Sequence, residues 1–162
     1  MRIGHGYDIH RMVEGDGIVL GGVPIACDYK LVAHSDGDVV LHALCDALLG
    51  AASLGDIGQH FPDDDKRNAN CSSQVFLQHI FSLVTERGYL IGNVDISIIA
   101  EAPTLKKHLA TMRDNIAICL QTAIENINLK ATTNEGLDAL GEKRGIAAHA
   151  VVLLINSNRK EK

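Results

Sequence analysis

The chain has no tryptophan, and only three tyrosines and three phenylalanines among its 162 residues. Val, Ile, Leu and Ala therefore have to fill the core. The four cysteines, Cys27, Cys45, Cys71 and Cys119, form no CxxC pair, which argues for isolated reduced thiols and against a disulfide framework or a zinc ribbon. No apolar run approaches the roughly 20 residues of a membrane span. The opening stretch MRIGHGYDIH lacks the apolar region of a signal peptide. The expectation is a cytoplasmic protein with no membrane partner. The formal net charge of -5 leaves no excess of positive charge for a general nucleic-acid surface. Repeats and low-complexity linkers are absent. So is any convincing Ser–His–Asp or Cys–His arrangement, which removes the usual routes to an activated side-chain nucleophile.

What is present is ordinary globular patterning. The length fits one domain, expected over residues 1–157 with a polar tail at 158–162. Residues 2–10 alternate as a strand, with Ile3, His5, Tyr7 and Ile9 on one face and Gly4, Gly6, Asp8 and His10 on the other. Residues 18–25 read as a hairpin turning at Gly21-Gly22. A helix is expected to open at Ser35, capped there with Asp38 three residues on, and to run to about Leu49 before Gly50. A second helix spans residues 73–87, and a third starts at Pro103. Strands follow the Ile- and Val-rich stretches 89–100, 129–133 and 145–155. The order predicts an α/β (α+β sandwich) fold: one mixed sheet with helices packed on one face, and a parallel pair where the third helix crosses over. The other face is left apolar, for burial by self-association.

Asp8 and His10 lie two apart on a strand, so both leave the same face, which Gly4 and Gly6 are expected to keep open nearby, and offer one oxygen and one nitrogen ligand. In isolation such a pair is more often a capped turn or a surface contact. On the first helix Asp38, His42 and Asp46 recur every four residues among apolar neighbours. A buried ionisable stripe needs a compensating partner. Asp8, His10 and His42 around one cation would leave the open fourth position of a catalytic zinc site. Asp46 or Asp38 is then available to hold the far ring nitrogen of a ligating histidine. His34 and Ser35 sit near the helix N-terminus, where either an anion site or an ordinary cap is possible. Thr132, Thr133, Asn134 and Glu135 end a strand, and locally serve a phosphate or divalent-ion site as well as they serve a turn.

Several blocks taken together resemble the cyclodiphosphate synthase family along nearly the whole chain. They are GHGYDIH at 4–10, AHSDGDVVLHALCDALLGAASLGDIG at 33–58, FPDDD at 61–65, NVDISIIAEAP at 93–103, LKATTNE at 129–135 and GIAAHAVVLLI at 145–155. The resemblance implies cyclisation of 4-diphosphocytidyl-2-C-methyl-D-erythritol 2-phosphate with release of CMP. The 2-phosphate attacks the β-phosphorus of the same molecule. It implies Zn2+ on Asp8, His10 and His42, and a second ion, Mg2+ or Mn2+, at Glu135. It assigns transition-state stabilisation to His34 and Thr133, and methylerythritol contacts to Ser35, Asp56, Ile57 and Gly58. Further substrate contacts fall on Phe61, Pro62, Asp63, Asp64 and Asp65. Ala100, Glu101, Ala102, Pro103, Thr104, Leu105 and Lys106, with Thr132 and Asn134, match the segments that hold cytidine and phosphates. The implied assembly is a homotrimer with each site between two subunits.

The chain departs from the family pattern after Glu135. Ala139 stands where an aromatic is usual, Glu142 where an Arg is usual, and Arg144 where a Glu is usual, as if the charge pair were swapped. The usual Phe and Arg line a central cavity in the trimer that accepts isoprenoid diphosphates, and positions 139 and 142 also neighbour the substrate. Thr104 replaces a usual Lys, which matters little where cytosine is read by backbone groups.

Overall fold

A two-residue alternation shapes β1 (Arg2–Glu14), but the face it buries is the one with the glycines. Gly4, Gly6 and Met12 are buried, while Ile3, Tyr7 and Ile9 are 74%, 45% and 44% exposed. The computed structural model describes residues 1–62 and 71–157. The polar tail 158–162 lies outside them.

β1 outruns its expected end by four residues and pairs antiparallel with the short β4 (Tyr29–Val32). On its other side it pairs antiparallel with β7 (Gly145–Asn156). β5 (Tyr89–Ile99) is antiparallel to β7 and parallel to β6 (Ile127–Thr132), giving the order β4-β1-β7-β5-β6. The single mixed sheet is thus as expected, with its parallel pair joined through α4 (Leu109–Cys119). A separate hairpin joins β2 (Ile18–Leu20) to β3 (Val23–Ile25). Gly21 and Gly22 turn it with φ of 56° and 71°, conformations open to glycine.

Helices α1 (Val39–Ala52) and α3 (Ser73–Glu86), with α4, pack on one face of the sheet. There Ile146, Ala148, Ala150, Val152 and Leu154 of β7 and Ile96 and Ile98 of β5 are fully buried. Short helices α2 (Ile57–His60) and α5 (Asp138–Gly141) were not marked by periodicity. On the other face Ile3, Tyr7, Ile9 and Val151 stay exposed. No helix among the described residues is long and apolar enough to cross a membrane.

Three helix boundaries differ from the sequence expectation. α1 is capped by Asp38, not Ser35, because the Asp38 carboxylate accepts from the N–H groups of both Val40 and Leu41. Its far end passes through Gly50 and closes at Ser53 in the left-handed region, φ 56°. The third helix starts at Leu109 rather than Pro103. Residues 103–108 form turns whose Leu105 is drawn into the core at 4% exposure, so tertiary burial overrides the Pro start signal.

Candidate metal centre

The strand and helix that carry the candidate ligands touch backbone to backbone. A Cβ at Gly4 would lie 1.8 Å from the carbonyl oxygen of Ala47, and one at Gly6 1.9 Å from that of Ala43. The glycines therefore do not hold a face open, as their lack of side chains suggested. They let α1 settle directly onto β1, against Ala43, Ala47 and Ala51. Asp8 and His10 continue the same strand face, and His42 precedes Ala43 on the helix, so the seam delivers all three to one point.

There the donor atoms form a near-equilateral triangle. Asp8 Oδ2 is 3.1 Å from His10 Nε2 and 3.0 Å from His42 Nδ1, and the two nitrogens are 3.2 Å apart. Tetrahedral zinc, with bonds of about 2.0–2.1 Å, spaces its ligands about 3.3 Å apart. Two imidazoles and a carboxylate at this spacing fit a divalent ion, with a fourth position open to the cleft. The side chains are 25% (Asp8), 21% (His10) and 12% (His42) exposed, so solvent reaches the site from one side. Burial pushes the Asp8 carboxyl up, but hydrogen bonds and charge from His10 and His42 outweigh it and hold it well below the usual range. The bond to Asp8, partly opposed by burial, raises His10.

Behind the ligands lies a layer the sequence did not reveal. His42 Nε2 is 2.8 Å from Ser73 Oγ and 3.3 Å from Ser35 Oγ. Ser73 is fully buried, and its hydroxyl and amide both donate to the Asp36 carboxylate, the amide at 2.8 Å. A proton on Nε2 leaves Nδ1 free as a ligand, which sets the tautomer through a hydroxyl. Neither Asp38 nor Asp46 fills this role. Asp38 is consumed by four backbone N–H groups, those of Gly21 (2.9 Å), Gly22 (2.7 Å), Val40 and Leu41 (3.1 Å each). Burial nevertheless pushes it up to about 6. Asp46 accepts from Ile57 N–H at 2.8 Å. Nothing local ties Ser73 or Asp36 to His42, since 31 residues separate His42 from Ser73.

The triad opens into a cavity of about 340 Å³ lined also by His34, Ser35, Ile57, Gly58 and Phe61. Phe61 is fixed by stacking on Phe76 at 4.3 Å. Asp56 stands exposed nearby as the cap of α2, and Pro62 is exposed. Asp63, Asp64 and Asp65 lie outside the described residues. A second cavity, about 330 Å³, is lined by Ala100, Glu101, Pro103, Thr104, Leu105, Lys106, Thr132 and Thr133, with Ala102 in the same turn. Glu101 anchors its rim by accepting from Asn134 N–H at 3.1 Å, and Thr133 Oγ1 donates to Glu135 at 2.9 Å. Both cavities lie at the same end of the strands, because β1 and β5 are each antiparallel to β7. β7 stands between β1 and β5, so those two strands are two spacings, about 10 Å, apart. Ala139 lines a third cavity with Ile9, Met12 and Arg144, and among the described residues only His10 borders both it and the triad's cavity. Glu142 pairs with Arg144 at 2.7 Å on the surface, so the exchanged charges do meet.

A mixed five-stranded sheet under helices, with an imidazole–imidazole–carboxylate centre opening on a cleft, defines an α+β protein built for a divalent metal. The chain belongs to the YgbB family, whose model matches residues 1–155. It is 57% identical over 155 residues to the 2-C-methyl-D-erythritol 2,4-cyclodiphosphate synthase of Azotobacter vinelandii, covering 96% of this chain and 99% of that one. Among solved structures it resembles IspF of Plasmodium falciparum in its CDP complex, at 38% identity, TM-score 0.85 and 97% coverage of each chain. It also resembles the bifunctional IspDF of Campylobacter jejuni, at 41% identity and TM-score 0.92. That match covers 98% of this chain but 43% of the Campylobacter jejuni chain.

Proposed function

We propose that this chain is a phosphorus–oxygen lyase that cyclises 4-diphosphocytidyl-2-C-methyl-D-erythritol 2-phosphate to 2-C-methyl-D-erythritol 2,4-cyclodiphosphate and CMP, in isoprenoid precursor synthesis. The observation that carries the reading is the convergence of Asp8, His10 and His42 on one point at the cleft. The full-length likeness to curated synthases supports the substrate.

An oxygen of the 2-phosphate forms a bond to the β-phosphorus. The bond from that phosphorus to the oxygen bridging it to CMP breaks, and CMP leaves with the electron pair. The substrate supplies its own nucleophile, so the protein's work is positioning and charge stabilisation. Asp8, His10 and His42 would hold Zn2+, which supplies Lewis-acid polarisation of a phosphate oxygen. Glu135 would be the single protein ligand of Mg2+ or Mn2+, an ion that ordinarily completes its shell with substrate phosphates and water. His34, on the cleft wall, and Thr133, at the second cavity, would donate to phosphate oxygens and stabilise the transition state. Ser35, Asp56, Ile57 and Gly58 would orient the methylerythritol, and Phe61, Pro62, Asp63, Asp64 and Asp65 would add further substrate contacts. The cavity of residues 100–106 with Thr132 and Asn134 would take cytidine and its phosphates, and positions 139 and 142 would lie at the substrate's margin.

A homotrimer belongs to the same reading. β7 separates the triad from the second cavity within one chain, and the open sheet face offers Ile3, Tyr7, Ile9 and Val151 for burial. A site between subunits, in a cytoplasmic protein whose single domain spans residues 1–157, would join one chain's triad to another chain's nucleotide cavity.

Phosphorus NMR of the reaction tests the proposal. The cyclic diphosphate and CMP are expected in equal amounts, and Asp8→Ala and His42→Ala should abolish both. A linear methylerythritol bisphosphate as product would mean hydrolysis and would defeat the cyclase reading.

A further inference from the structure

The open face of the sheet carries a second pair of imidazoles, on the opposite side of the sheet from the triad. His5 on β1 and His149 on β7 are both exposed, and His5 Nε2 stands 3.1 Å from His149 Nδ1. At the triad, His10 Nε2 stands 3.2 Å from His42 Nδ1. The same two ring atoms face one another at nearly the same spacing. Two neighbouring nitrogens bound at about 2.0–2.1 Å to one cation lie about 2.9–3.4 Å apart, for angles between square and tetrahedral.

Strand backbone fixes where both rings start. Tyr7 lies directly across from His149, its ring 4.7 Å away at 43°, and limits how the imidazole can turn. Ser97 flanks His149 from β5. Asp95 shares a cross-strand row with His5, beyond Val151, but Lys130 and Asn128 already occupy its carboxylate. Two imidazoles with no uncommitted carboxylate beside them among the described residues favour zinc, nickel or copper over magnesium or calcium.

We propose that His5 and His149 form a second transition-metal site, binding Zn2+, Ni2+ or Cu2+ through two imidazoles and independently of the Asp8–His10–His42 centre. Its remaining coordination positions point away from the sheet, toward the space that the proposed trimer encloses, where water and the same two imidazoles of the other copies can complete the shell.

The test is zinc uptake by the full chain after stripping with a chelator, read by equilibrium dialysis and metal analysis. Wild type should take up a tight class of zinc and a weaker one. His5→Ala and His149→Ala should each weaken only the weaker class, by about a hundredfold, because one of two ligands held at high effective concentration is gone. The tight class should be unchanged, and each variant should keep the wild-type melting temperature and oligomeric mass, which certifies that it folds and assembles. Cu2+ added to wild type with its tight class filled should give an electron paramagnetic resonance spectrum with coupling to two nitrogens, reduced in either variant. If both variants take up zinc as wild type does, or if the weaker class vanishes only with Asp8→Ala, the two rings merely share a hydrogen bond and the site does not exist.

Discussion

Ser73 holds its hydroxyl oxygen 2.8 Å from His42 Nε2 while donating its own proton to Asp36. The metal-facing nitrogen of His42 is therefore oriented from a helix that contributes no ligand. Ser73→Ala should lower zinc affinity by about tenfold to a hundredfold, the usual effect of removing such a support. Competition with a chromophoric chelator measures it. An affinity equal to wild type would show that the hydroxyl serves only to pair a buried carboxylate.

Gly6→Ala tests the seam. Its Cβ would enter the space of the Ala43 carbonyl and come within 2.7 Å of the Ala47 amide. Backbone cannot step aside as a side chain can, so the variant should lose about 3 kcal/mol, the upper end of ordinary overpacking. It should also lose metal, since any retreat of α1 carries His42 away from Asp8. Denaturant unfolding and metal content should fall together.

Asp38→Ala should cost about 3 kcal/mol in stability. It removes a helix cap, worth about 1 kcal/mol, and strands the buried amide of Gly21 and the part-buried amide of Gly22, at about 1 kcal/mol each, the low end for an unpaired group. Turnover per folded, metal-loaded molecule should stay near wild type, because Asp38 does not face the ion. A stable variant would mean that water replaces the carboxylate.

The metal-free protein should show a pH window of its own. Asp8 is depressed, so its contribution exists above its usual value near 4 and is lost as pH falls through the lowered one. His10 is raised, so its contribution is complete below about 6.5 and is lost as pH rises through the raised value. Zinc replaces the shared proton, so the stabilisation it adds should grow from pH 6 to 8. Melting curves with and without chelator check this, and a zinc effect independent of pH would contradict it.

Much of the sheet was legible because β5 and β7 are aliphatic stretches of strand length with punctuated ends. The triad was legible because strand period two and helix period four each bring ionisable groups onto one face. The rest depended on distant partners. Ser35 and Asp38 compete as caps, and the choice fell to Asp38 because Gly21 and Gly22 supply two more amides from the hairpin. Ser73 carries no local mark of its contact with His42. The glycines at 4 and 6 read as open space until the helix that fills it was in place. β4 escaped notice because four residues at a sheet edge carry too little pattern.

The Gly4–Gly6 seam also separates two tasks that most cores mix. Where main chain rests on main chain, the gap between strand and helix is a fixed gauge, whatever fills the rest of the interior. Exchanges among Leu44, Leu48, Ile80 or Ile116 would alter the padding and leave the reach from Asp8 to His42 untouched. The chemistry is thus insulated from the aliphatic filling by two glycines.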